Sequence, residues 1–146
     1  MTAHPHDEVS LDTLTRLRAI CGRLPDAYEE RAWTGVRWRV RDRTFAHVYV
    51  TDPTRPAATH AHAHAAEPTT TLTFRAGGEE FEALTHAGPP FFRMGWGANV
   101  VGMHLDAATT DWNEVAELLV ESYRGLAPRK LTALLDEQGW TATPLS

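Results

Sequence analysis

Val36, Trp38 and Val40 alternate with Arg37, Arg39 and Arg41, and no other feature constrains the fold of this chain as strongly. A two-residue period describes an extended strand with one buried face and one face lined by guanidinium groups, because successive side chains of a strand point to opposite sides. A short Asp42-Arg43 turn and a second apolar run follow, so the pattern predicts an antiparallel hairpin.

The flanking segments extend this into a meander. Residues 28–33, 36–41 and 44–51 read as three short strands, joined by turns at Thr34-Gly35 and Asp42-Arg43. Residues 70–75, 91–94 and 99–105 are expected to add further strands, the last two around a Gly95-Trp96-Gly97 link. Residues 52–68 are rich in Pro, Ala and His and lack apolar periodicity, which predicts an exposed, flexible loop. Helical spacing appears in four places. Ser10 is a good N-cap for a helix with Leu11, Leu14, Leu17, Cys21 and Leu24 inward. Residues 78–86 are expected to form a short helix with Phe81 and Leu84 inward, although Glu79, Glu80 and Glu82 would sit as well on an exposed turn. Asp111 followed by Glu114 resembles a capping box, and Trp112, Val115, Leu118, Leu119 and Tyr123 form its helix's apolar stripe. Pro128 opens a last helix with Leu131, Leu134 and Leu135 inward and Gly139 as its stop.

With 146 residues the chain is long enough to bury about two thirds of its unfolded surface as one domain, and too short for two. A single domain over 1–146 with its core in about 10–138 is expected. No apolar run is long enough to span a bilayer and the first residues lack the order of a secretory signal, so the expected location is cytoplasmic, with no membrane partner. The lone cysteine, Cys21, excludes an internal disulfide and falls on an apolar helix face.

A net charge of −5 argues against bulk electrostatic binding to nucleic acid, but the charge is uneven. Between Glu29 and Arg43 five arginines face three acids, a local balance of +2 that leaves −7 for the remainder. Lys130 is the only lysine, so codon preference accounts for part of the arginine richness.

Together these residues resemble the MmcQ/YjbR family. The resemblance rests on the run from Leu17 to Pro25, the pair Glu29-Glu30, Trp38-Arg39-Val40 with Phe45-Ala46 after its turn, the stretch from Leu118 to Tyr123, and Pro128-Arg129-Lys130-Leu131. It spans about residues 14–135. It implies an α+β two-layer sandwich, an antiparallel sheet covered on one face by helices, of the kind compared with frataxin-like and secretion-chaperone-like folds. Family members are commonly labelled DNA-binding, by analogy of shape with winged domains.

Three groups of residues are candidates for function. Arg37, Arg39 and Arg41 on one sheet face, with Arg43 at the turn, would stand about 7 Å apart, near the separation of successive phosphates. The alternative is a solvated face in which Glu29 and Glu30 neutralise them across strands. His60, His62 and His64 would point the same way in an extended segment, as paired metal ligands do, but the segment lacks a rigid surround and no metal is expected there. Among the aromatic residues Trp33, Trp38, Phe91, Phe92, Trp96 and Trp112, most belong in a core, whereas Trp96 between two glycines could cap a cleft or stack on a base. His47 and His104 lie in strands without a nucleophile or carboxylate at catalytic spacing.

The expectation is therefore a non-enzymatic domain without a cofactor, binding nucleic acid weakly through Arg37, Trp38, Arg39, Arg41, Arg43 and Trp96. A small-ligand cleft bounded by Trp38, Trp96 and His104, or a protein partner on the exposed sheet face, is the alternative.

Overall fold

A computed structural model describes residues 9–51, 68–95 and 99–139. In chain order the elements are α1 (Leu11–Cys21), β1 (Tyr28–Arg31), β2 (Val36–Val40), β3 (Arg43–Thr51), β4 (Thr69–Arg75), α2 (Gly78–His86), β5 (Phe91–Arg93), β6 (Val100–His104), α3 (Trp112–Leu126) and α4 (Arg129–Glu137). The strands form one six-stranded sheet in the order β1-β2-β3-β4-β6-β5, with every neighbouring pair antiparallel. Strands β1 and β5 are its two edges.

Register fixes which side chains share a face, because residues directly opposite one another in an antiparallel pair point the same way. Trp38 pairs with Ala46, Ala46 with Phe74, and Phe74 with Val101. This row faces the helices and is buried with Val40, Val48, Leu72 and Met103. A bulge between Trp38 and Arg39 leaves Phe45 as the extra residue of β3, so Phe45 and Ala46 both turn toward the helices. Phe45 meets the Tyr123 ring edge to face at 5.6 Å between centroids.

α3 supplies the opposing layer. Asp111 caps it by accepting from the Asn113 and Glu114 amides, and Val115, Leu118, Leu119, Ser122 and Tyr123 are buried at the spacing of a single helix face. The Tyr123 hydroxyl donates to the Pro25 carbonyl at 2.7 Å, tying α3 to the segment that follows α1. α1 contributes Leu17, Ile20 and Cys21 to the same core, and α4 adds Leu131 and Leu135. α2 packs Phe81 and Leu84 against the β5 and β6 end.

Three apolar positions depart from the sequence expectation. Leu11, the first residue of α1, is exposed because it precedes the turn that meets the core, and Leu134 points outward between the buried Leu131 and Leu135. Trp33 is fully exposed at 102%. The strand expected to contain it stops at Arg31, and the loop closes by a hydrogen bond from the Ala32 amide to the Gly35 carbonyl, which carries Trp33 away from the core. The face opposite the helices holds a second, smaller cluster of Tyr49, Phe92, Met94 and Val100. Gly102 lies beneath it, where a Cβ would collide with the Phe92 ring and the Met94 sulfur.

Candidate nucleic-acid interface

Two of the expected arginines share the sheet face that carries no helix among the described residues, the helix-free face. Arg37 pairs with His47, and His47 with Thr73; Arg39 pairs with Thr44. The alternation in β2 is therefore as expected, with Trp38 between them only 2% exposed among core residues. Trp38 is thus a core side chain rather than a ligand contact. Arg41 is also misplaced by the two-residue period. The turn is Arg41-Asp42, with φ of 48° and 66°, and not Asp42-Arg43. A two-residue hairpin with both central φ values positive matches the twist of its strands, so Arg41 leaves the strand face and meets Asp26 at 3.3 Å. Arg43 begins β3 opposite Val40, on the helix side. Trp96 lies outside the described residues, as do His60, His62 and His64.

Pairing reduces the charge of the row. Arg37 Nε donates to Glu30 Oε1 at 2.6 Å. Arg39 holds Glu30 at 3.4 Å and the carbonyl of Asp42 with its other terminal nitrogen. The two arginines hold the Glu30 carboxyl below its usual range, Arg37 most strongly. Glu29, on the other side of β1, is taken by Arg18 in a two-pronged contact of 2.8 and 2.9 Å, which likewise lowers its pKa.

The sheet brings a third arginine to the helix-free face. Arg75 pairs with Val100 one residue beyond Phe74, so it stands on the side of Thr73, Thr71 and His104. Among the described residues no ion pair or hydrogen bond engages its guanidinium. The Thr71, Thr73, Arg75 alternation against Leu72 and Phe74 is visible in the chain, but placing it beside Arg37 and Arg39 requires the register of β3 on β4. Glu30 is the one acid that the described strands place on this face, leaving Arg37, Arg39 and Arg75 in excess of it.

A notch of about 150 Å³ opens between β3 and β4, lined by Thr44, His47, Thr73, Arg75 and Val100 with adjoining backbone. The His47 Nε2–H donates to the Thr34 carbonyl at 2.6 Å, and burial holds its pKa below the usual imidazole value. The expected cleft of Trp38, Trp96 and His104 does not form as drawn, since Trp38 and His104 lie on opposite faces. Cys21 is fully buried, and desolvation pushes its thiol pKa up. Among the described residues no three His, Cys, Asp or Glu side chains gather as a metal site, and no helix is long and apolar enough to cross a membrane.

A six-stranded antiparallel sheet with its helices on one side is a two-layer α+β domain. The family model described as YjbR matches residues 22–125, and the chain belongs to the YjbR family. Among solved structures, protein DR2400 of Deinococcus radiodurans, whose family-model domain is DUF419, superposes with a TM-score of 0.55 at 19% identity, covering 98% of this chain and 96% of that one. At that identity the likeness concerns the fold. No curated protein matches.

Proposed function

We propose that this YjbR-family domain acts by binding rather than catalysis, and that its helix-free sheet face takes nucleic acid weakly. The observation that carries this reading is the gathering of Arg37, Arg39 and Arg75 on one face with Glu30 as the single strand acid among them. Guanidinium groups suit phosphate oxygens because their fork donates two parallel hydrogen bonds. Two circumstances keep the affinity low. Glu30 already holds Arg37 and Arg39, and the whole chain carries −5. A dissociation constant in the non-specific range of about 10⁻⁴ to 10⁻⁶ M is expected at moderate salt.

Anisotropy titrations of labelled single-stranded and duplex DNA at low salt test the reading. Arg37→Gln combined with Arg75→Gln should weaken binding and flatten its salt dependence by about 1.4 to 1.8 in the log-log slope, the share of two phosphate contacts. Arg39 is left in place because it also holds the β2–β3 turn through Asp42. No association by the native chain, or association that the double variant retains, would overturn the proposal.

A further inference from the structure

We propose that the notch between β3 and β4 binds one phosphate group, with the Arg75 guanidinium and the Thr44 and Thr73 hydroxyls as its donors. The proposal rests on the helix-free face being the anion-binding surface, and it names the group that docks there.

The notch exists because the sheet ladder stops. Pairing of β3 with β4 ends at Ala46 and Phe74, beyond which Phe45 turns toward the helices. The two backbone groups left at the parting are taken by Ser122 of α3, which donates to the Phe45 carbonyl and accepts from the Arg75 amide. The strands are thereby held apart on a rigid frame, and the opening faces away from the helices. Its volume, about 150 Å³, is below the roughly 300 Å³ at which pockets for drug-sized ligands begin, so the docked group is small.

The lining has the chemistry of an oxyanion site. Among the described residues it contains no acid. Whereas Arg18, Arg37, Arg39 and Arg41 each hold a carboxylate, Arg75 holds none among the described residues. Thr73 is only 5% exposed, yet no group among the described residues hydrogen-bonds its hydroxyl. The neighbouring hydroxyls of Thr51 and Thr71, in contrast, bond to each other at 2.7 Å. The Thr73 hydroxyl lines the notch, where it can donate to a ligand oxygen. The donors come from two neighbouring strands, Thr44 from β3 and Thr73 and Arg75 from β4, and an oxyanion with several oxygens can take a bond from each. His47 is not counted among the donors, because its Nε2–H is held by Thr34.

Phosphate could arrive free or as an ester at the end of a nucleotide. Inorganic phosphate is therefore titrated into the isotope-labelled full chain and followed by amide NMR, with a nucleoside 5′-monophosphate and an unphosphorylated oligonucleotide as parallel arms. The amides of Thr44, Thr73 and Arg75 should shift together and saturate with inorganic phosphate. Thr73→Val should weaken this binding about tenfold and Arg75→Gln should abolish it, with both variants retaining the native melting transition. Tighter binding of the monophosphate than of inorganic phosphate would identify an ester as the source; equal binding would identify free phosphate. If phosphate binds as described but the oligonucleotide does not, the notch stands and the nucleic-acid reading falls. Shifts that never saturate, that centre elsewhere, or that survive in Arg75→Gln overturn the notch, even where the oligonucleotide still binds through Arg37.

Discussion

Ser122 donates a 2.6 Å hydrogen bond to the carbonyl of Phe45, across a separation of 77 residues. The same hydroxyl accepts from the Arg75 amide at 2.9 Å, so a helix side chain completes the ladder between two strands that no longer touch there. Ser122 is buried, and Ser122→Ala would leave the Phe45 carbonyl and the Arg75 amide without this partner. A loss of about 2 to 4 kcal/mol is expected. Urea unfolding measures it, and a change under about 0.5 kcal/mol would show that the bridge contributes little.

The packed face of α3 gives a second prediction. Leu119 is fully buried in the core, whereas Glu117 is exposed on the other side of the helix. Leu119→Ala should cost about 2 to 5 kcal/mol and Glu117→Ala less than about 0.5, measured by the same unfolding transition. Equal effects would contradict the face that α3 presents to the sheet.

Gly35 closes the β1–β2 loop with a φ of 75°. A Cβ there would run into the Val48 carbonyl and stand 2.8 Å from the Tyr49 Cβ. Gly35→Ala meets both a steric and a conformational penalty, and a loss above about 2 kcal/mol or failure to fold is expected. Thermal melting compared with Gly88→Ala provides the control. Gly88 also has positive φ, but a Cβ there meets nothing within 4 Å.

His47 makes stability depend on pH in a definite direction. Burial, the dominant cause, holds its folded pKa below the usual 6.5, so the fold favours the neutral ring. Below pH 6.5 the unfolded chain takes a proton that the folded chain refuses, and this group's contribution falls as pH drops toward the folded pKa. Above 6.5 it adds no slope. Denaturant midpoints between pH 7.5 and 5, with an NMR titration of the His47 ring, should show this loss, and His47→Gln should remove that part of the slope. A ring that titrates above 6.5 would reverse the sign.

Local pattern carried much of the fold. The bounds of α2 follow from its spacing, α3 begins where Asp111 can cap it, and the buried-exposed alternation of β2 is written in Val36 to Val40. Positions that depend on partners were less legible. Arg41 looks like a strand residue until the hairpin's demand for two positive φ values removes it. Leu134 has an inward spacing that one end of a short helix does not honour. The face shared by Arg37, Arg39 and Arg75 joins residues whose proximity is set by strand register, which no local window contains. Thr44 and Thr73 carry no signal of their own, since ordinary strand threonines look the same in sequence.

The outer strand β1 reads Tyr28-Glu29-Glu30-Arg31, and its free edge offers backbone groups to any strand that could lie alongside. A second copy adding itself antiparallel along this edge, centred on Glu29 or on Glu30, would set that glutamate opposite its own counterpart, because opposed residues share a face. Like charges directly across a ladder repel, so this edge resists growth into a continuous sheet of identical molecules while leaving a strand with basic residues at those two positions free to pair.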